Sequence, residues 1–216
     1  MIFKNRVDAG KKLATALTDY KNQKDTMVVA LPRGGVILGY EVANKLNCPL
    51  DIVVPRKIGA PGNEEFAIGA IAEDGEGFFD DNTIYSSNVS QEYIDKTVKT
   101  EKVEANRRLV TYRGNRPPLD LTDKTAIIVD DGIATGYTML AAIESVKIKN
   151  AKKIIVAVPV TAKDSIETII PKVDEVIYLD APIFFGAVGM FYTEFNQTTD
   201  EEVIALLQKA QKLSTT

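Results

Sequence analysis

The chain has 216 residues, 45% of them apolar, and a formal charge of −4, the proportions of an ordinary globular domain with no basic footprint for nucleic acid. It contains no histidine, which removes imidazole triads, imidazole general bases and most zinc sites. Cys48 is the only cysteine, so intramolecular disulfides and thiolate clusters are excluded and a reducing compartment fits. Residues 1–10 are charged early and lack an apolar core, so no signal peptide is expected. No apolar run approaches the ~20 residues that span a bilayer, and the expectation is a cytoplasmic protein without a membrane partner.

In chain order, Val7, Leu13, Ala14 and Leu17 fall at helical spacing and predict a first helix from about Val7 to Tyr20. Thr26 to Leu31 is a short β-branched strand. Pro32-Arg33-Gly34-Gly35 interrupts it, and helical periodicity resumes over Val36 to Leu46. Asp51 to Val54 reads as a second strand, ended by Pro55. Ile58 to Asn63 reads as a glycine- and proline-punctuated loop, and Ala67 to Ala72 as another strand. Residues 73–89 are polar and turn-rich, with Phe78, Phe79 and Tyr85 in short strands. Ser90 can cap a long helix with Ile94, Val98, Ala105, Leu109 and Tyr112 on one face, ended by Gly114 and Pro117-Pro118.

Ala126 to Val129 is an apolar, β-branched run of the kind buried on both faces of a sheet. A helix through Leu140, Ile143 and Val146 follows. Then come a strand over Lys153 to Val158, a helix near Lys163 to Ile170, a strand over Glu175 to Leu179 and a final helix from about Thr199 to Leu213. Alternating strands and helices imply an α/β fold, a doubly wound, mainly parallel sheet with helices on both faces. We expect a single domain over 1–216, with an insertion at about 73–118.

In such sheets ligands sit beyond the carboxyl ends of the strands, which singles out three strand ends. After the central strand stand Asp130 and Asp131, then a turn with Gly132, Ala134, Thr135 and Gly136, then Thr138 at a helix start. Paired carboxylates can accept hydrogen bonds from neighbouring hydroxyls, and backbone N–H groups at a helix N-terminus can hold a phosphate. Arg33-Gly34-Gly35 places a cation and two exposed N–H donors after another strand, which suits pyrophosphate. Arg56 and Lys57 place two cations at the third strand end.

The block from Ala126 to Thr138 resembles the phosphoribosyl-pyrophosphate (PRPP) signature of type I phosphoribosyltransferases. That resemblance implies that Asp130 and Asp131 lie by the ribose hydroxyls and that the turn wraps the 5′-phosphate. Arg33-Gly34-Gly35 resembles the family's short pyrophosphate loop, where a non-proline cis peptide often occurs. Arg56-Lys57-Ile58-Gly59 resembles the start of the catalytic loop of adenine phosphoribosyltransferases and implies a catalytic role for Arg56 and Lys57. Glu64 or Glu65 would be acceptor or ribose contacts, with solvated loop carboxylates as the plainer alternative. Residues 182–192 resemble the base-binding segment of hypoxanthine-guanine enzymes, with Phe184, Phe185 and Val188 as candidates within a hood-like C-terminal segment at about 181–216. A hydrophobic cap is the alternative. Ala134 departs from those enzymes, which carry aspartate there, and matches adenine and uracil enzymes instead.

The resemblance implies transfer of a phosphoribosyl group from PRPP to a nucleobase, most simply a purine, with pyrophosphate as product. Mg2+ would be held largely by substrate oxygens, with Asp130 and Asp131 contributing through water. A homodimer is the assembly considered; no nucleic-acid partner is expected. Arg107, Arg108, Arg113 and Arg116 read as the solvated face and exit of a helix, with an anion site as the alternative. A PRPP-sensing regulator of the same fold is the competing function. A nucleotide-cofactor oxidoreductase fails on motif, since no Gly-x-Gly-x-x-Gly follows a strand and no P-loop occurs.

Overall fold

The computed structural model describes residues 1–213, apart from the side chains of Glu64, Glu65 and Leu213. Its main sheet is parallel, in the spatial order β2 (Leu50–Ile52), β1 (Thr26–Ala30), β6 (Thr125–Val129), β7 (Lys153–Val160) and β8 (Glu175–Asp180). Consecutive residues feed opposite cores, as the period of two demands. Val28, Ala30, Ile127, Val129, Ile155 and Ala157 pack on one face. Val29, Ala126, Ile128, Ile154, Val156 and Val158 pack on the other. Both faces are covered, so these strands read as continuous apolar runs.

The first face is covered by α1 (Arg6–Ala16), α2 (Gly34–Leu46) and α7 (Asp200–Leu213) through Leu13, Val36, Val42, Leu46, Val203 and Leu207. The second is covered by α5 (Tyr137–Ile148) and α6 (Lys163–Ile169) through Met139, Leu140, Ile143, Val146 and Ile169. Burying each such aliphatic side chain contributes ~1.5–3 kcal/mol, so the two layers dominate the stability of the domain. The first predicted helix stops at Ala16, and Thr18–Tyr20 tighten into a 3-10 turn.

A second, antiparallel sheet joins β3 (Arg56–Ala60), β4 (Asn63–Ile71) and β5 (Gly77–Phe79). The segment expected to be a loop over Ile58 to Asn63 is therefore mostly strand, with the turn confined to Pro61-Gly62. Gly62 has φ +77°, and the pairing shifts register around Gly59. Glycine and proline at the bulge and hairpin tip masked a strand in which Ile58 and Ala60 are buried. Tyr85 falls on α3 (Asp81–Ser86) rather than in a strand. This small sheet begins at Arg56, ahead of the insertion's expected start.

The long helix α4 (Gln91–Arg113) is capped as expected, Ser90 Oγ accepting from the Tyr93 N–H at 3.2 Å. Its apolar stripe serves two cores. Ile94 and Val98 meet Ile58, Ile68 and Ile71, whereas Ala105, Leu109 and Tyr112 reach the main core. Among the described residues no helix is long and apolar enough to cross a membrane.

Arg113 is not solvated. Its Nε and Nη2 each donate to Asp51 on β2 at 2.8 Å, and the two side chains are only 8% and 12% exposed. Arg116 likewise turns inward to the Leu207 carbonyl at 2.7 Å. A bidentate pair this buried ties α4 to the edge of the main sheet, and removing one partner strands a charge. We predict that Arg113→Ala costs about 3–5 kcal/mol, read from urea denaturation. A loss below ~1 kcal/mol would show that Asp51 finds water instead.

Candidate active site

The site is built where β1 and β6 end side by side, with Arg56 and Lys57 at the start of β3 sharing a cleft with Pro32 and Thr138. β1 and β6 are neighbours with Ala30 opposite Val129, and the Leu31 N–H donates to the Val129 carbonyl at 3.0 Å. Their following loops therefore touch. The Pro32–Arg33 peptide is cis, the geometry the resemblance implies for this loop. Gly34 and Gly35 open α2 directly against the acidic pair. A Cβ on Gly34 would collide with Asp131 Oδ2 and come within 2.7 Å of Arg6 Nε. One on Gly35 would lie 2.9 Å from Asp130 Oδ1 and from the Val129 carbonyl. The sequence suggested that these glycines open the backbone to a ligand; in the structure they also let two loops close on each other.

Asp131 is held from two sides. Its Oδ2 accepts from Arg6 Nε at 2.7 Å, and its carbonyl accepts from the Tyr192 hydroxyl at 2.6 Å. The Arg6 guanidinium lies 3.8 Å from the centroid of Phe195, and its Nη1 donates to the Asn196 carbonyl at 2.6 Å. Sequence reasoning missed Arg6 and Tyr192. They act across 125 and 61 positions of chain respectively; Arg6 sits in no motif, and Tyr192 ends the 182–192 segment without being singled out there.

The electrostatics follow from this crowding. Burial first, and the neighbouring Asp131 second, push the Asp130 carboxyl well above its ordinary 3.8, against a weaker opposing pull from Arg6 and Lys57. Burial also raises Asp131, with the Arg6 charge and hydrogen bond opposing it. Lys57, on β3, is the weakest of these influences on Asp130. Its neighbour Arg56 donates Nε to Glu101 Oε2 on α4 at 2.7 Å. Burial pushes the Cys48 thiol up to about 12, which leaves it no nucleophile at neutral pH.

After the acidic pair the turn is packed from below. A Cβ on Gly132 would stand 2.7 Å from Val188 Cγ1, so Val188 lies against the turn. Ser165 Oγ donates to the Ala134 carbonyl. Gly136, at φ +81°, occupies the left-handed region just before α5 and so frees the amides of that helix's first turn, where Thr138 stands.

The expected site residues divide. Thr138, Arg56 and Lys57 border a cleft of about 650 Å³ together with Pro32 and α4. Ala134 and Thr135 border a separate cleft of about 450 Å³ with Asp80 and Tyr137. Arg33 reaches toward α7, its Nη1 3.6 Å from Asp200 Oδ1. Phe184 is 91% exposed, and Phe185 stacks on Phe191 with centroids 5.2 Å apart. Of the three base-binding candidates, the geometry brings Val188 to the turn.

Residues 1–193 match the model of the Phosphoribosyl transferase domain, and the chain belongs to that family. The parallel sheet with its flanking helices is the type I phosphoribosyltransferase fold, extended by the small antiparallel sheet. Two Mycobacterium tuberculosis proteins, "Putative phosphoribosyl transferase MT0597" of strain CDC 1551 / Oshkosh and "Putative phosphoribosyl transferase Rv0571c" of strain ATCC 25618 / H37Rv, are each 39% identical over 211 residues, 98% of this chain. The chain spans 47% of their length. The crystal structure of TT1426 from Thermus thermophilus is 37% identical with a TM-score of 0.81, the match covering 97% of this chain and 99% of that one.

The raised Asp130 predicts a stability effect of definite sign. An acid whose folded pKa is raised binds more protons folded than unfolded, so stability falls as pH rises from the ordinary carboxylate value through the folded one. Asp130→Asn keeps the oxygen that accepts from the Asp131 N–H at 2.8 Å and removes the charge. We expect Tm at pH 7 to rise by roughly 2–4 °C, the shift that about 1 kcal/mol produces in a chain this long, and the decline between pH 4 and 7 to flatten. A lowered Tm in the variant would refute the electrostatic account.

Proposed function

We propose that the chain transfers the 5-phosphoribosyl group of PRPP to a nitrogenous base, with a purine as the acceptor class, and releases pyrophosphate. The observation that supports this reading is the close approach of Gly34 and Gly35 to Asp131 and Asp130. Two loops dispersed in sequence touch, and Arg56 and Lys57 share a cleft with Pro32 and Thr138; each segment has chemistry for a different part of PRPP. The turn from Gly132 to Thr138 and the first amides of α5 suit the 5′-phosphate. Asp130 and Asp131 suit the ribose hydroxyls. Arg33, Gly34 and Gly35 suit the pyrophosphate.

Displacement at the anomeric carbon passes through oxocarbenium-like character, so positioning and charge compensation carry the reaction without a covalent nucleophile. As the C1′–O bond breaks, the electron pair leaves with pyrophosphate. Arg56 and Lys57 stand where they can neutralise that charge. Among the described residues no three His, Cys, Asp or Glu side chains converge as a metal cage. Two adjacent carboxylates after the central strand fit Mg2+ held mainly by substrate oxygens, with Asp130 and Asp131 reaching it through water. Bound there, Mg2+ would neutralise the pyrophosphate and stabilise it as a leaving group. For the acceptor, Val188 against Gly132 and the exposed Phe184 nearby in sequence supply the apolar groups from which a base pocket can be formed. The lone thiol of Cys48 agrees with a cytoplasmic setting.

The test is pyrophosphate release from PRPP and Mg2+ with a panel of purines and pyrimidines. We expect turnover with a purine and, in Arg56→Ala/Lys57→Ala, a loss of roughly 100-fold or more in the single-turnover rate, with a smaller effect on PRPP affinity. Normal turnover in that variant at saturating PRPP would remove both residues from the chemistry. A wild-type protein that binds PRPP and consumes none with any base would identify a sensor.

A further inference from the structure

Outside the three strand-end loops, the richest unassigned chemistry lies along α4. Tyr93, Lys96, Thr97, Thr100 and Glu101 recur at the i, i+3, i+4, i+7, i+8 spacing of one helix face, and Arg108 continues it two turns on. That face borders the 650 Å³ cleft opposite Pro32, Arg56, Lys57 and Thr138. The same cleft is therefore shared by α4 and by all three motif-bearing regions. Its volume suits a small-molecule ligand.

The orientation of this face is fixed by packing. Ile94 and Val98 anchor one end of α4 in the small core, Ala105 and Tyr112 anchor the other in the main core, and the Arg113–Asp51 pair fastens its last turn. A polar stripe so held is not merely the solvated side of a free helix. Its charge is one-sided too. Arg56, Lys57, Lys96 and Arg108 share the cleft with a single carboxylate, Glu101, in a chain whose net charge is −4. Concentrating cations of one sign in a cleft focuses a field that attracts anions. Arg56 and Arg108 each have a carboxylate partner at 2.7 Å, Glu101 and Glu104 respectively, and other cations of the helix are partnered too. Lys102 donates to the Asp74 carbonyl at 2.6 Å, and Arg107 pairs with Glu104 at 2.7 Å.

We infer that α4 forms the far wall of the polyphosphate part of the site, with Lys96 and Arg108 as pyrophosphate-binding residues. The inference rests on the phosphoribosyltransferase reading for the identity of the anion. Arg108 donates Nε to Glu104 at 2.7 Å, which orients the guanidinium without discharging it. The hydroxyls of Thr97 and Thr138 add neutral donors on either side. Lys96 and Arg108 face the phosphates that leave, whereas the turn at Gly132–Thr138 faces the phosphate that stays.

The test compares ligands with and without a pyrophosphate. Lys96→Ala/Arg108→Ala would be titrated calorimetrically with magnesium pyrophosphate, with PRPP plus magnesium, and with ribose 5-phosphate. We expect the first two to weaken about tenfold or more, the loss of one charge-assisted contact, while ribose 5-phosphate stays within about twofold. The swap Lys96→Arg/Arg108→Lys, which keeps both charges, should recover most of the binding. Lys96→Ala alone, at an exposed position, preserves the test if the double variant fails to fold. Equal weakening of all three ligands, or none, would overturn the inference and leave the enzyme reading intact. A wild-type chain that binds magnesium pyrophosphate through Lys96 and Arg108 but not PRPP would overturn the enzyme reading and leave the anion site. One that binds none of the three would overturn both.

Discussion

Two backbones and two carboxylates share a space too small for any side chain at Gly34 or Gly35, and the active-site end of the molecule is arranged around that contact. It exists because β1 and β6 are hydrogen-bonded neighbours, so the chain leaving one strand meets the chain leaving the other. Entering α2 at this point also aims the positive end of a 13-residue helix at the Asp130–Asp131 pair. Helix amides on one side and the Arg6 guanidinium on the other are what the fold offers to two crowded acids. Neither is enough to restore an ordinary carboxylate, which is why Asp130 stays raised.

The Arg6 arm shows how far the chain goes to hold one carboxylate. The segment before α1 is tied to the segment after β8 by backbone bonds, Phe3 N–H to the Phe191 carbonyl and Thr193 N–H to the Phe3 carbonyl, each 2.8 Å. Tyr192 and Phe195 in that second segment lie tilted against each other with centroids 5.0 Å apart. Tyr192 donates to the backbone of Asp131, and Phe195 carries the guanidinium of Arg6. A cation over an aromatic ring keeps its charge while its plane is set, so Arg6 offers Nε to Asp131 in one orientation. The first helix and the C-terminal aromatic segment are thus parts of the site, although neither belongs to the three loops.

Much of this was legible in the sequence, for a definable reason. Thr125–Val129 and Lys153–Val160 are β-branched and buried on both faces, so composition and period agreed. Asp130, Asp131 and the glycine turn stood at the end of such a strand, where ligands bind in parallel sheets. What stayed hidden depends on contacts distant in sequence. Arg113 looked like helix exit because Asp51 lies 62 residues away, and Arg6 lies 125 residues from Asp131. β3 was hidden differently: its glycine and its proline-glycine tip are the residues of a mobile loop, and only the pairing of Arg56 with Ile71 and Lys57 with Ala70 shows a hairpin. The resemblance to a catalytic loop led to the expectation of a loop after the second strand, whereas Arg56 and Lys57 open β3.

That conformation changes how charge can reach the leaving group. Cations on a free loop would have to be ordered when substrate arrives, and ordering each long side chain and its backbone opposes binding. On β3 the backbone of Arg56 and Lys57 is already fixed by β4, and Arg56 is already oriented by Glu101. The same logic applies to the acids. Asp130 and Asp131 carry a repulsion and desolvation that folding does not relieve, whereas a substrate bringing a divalent cation and ribose hydroxyls would relieve both. The folded state is therefore least comfortable at the place where ligand binding has most to gain, and binding couples back into stability by mass action. On the proposed function, preorganised cations on one wall and under-compensated acids on the other would divide the labour: the first would hold the group that departs, and the second the sugar that is transferred.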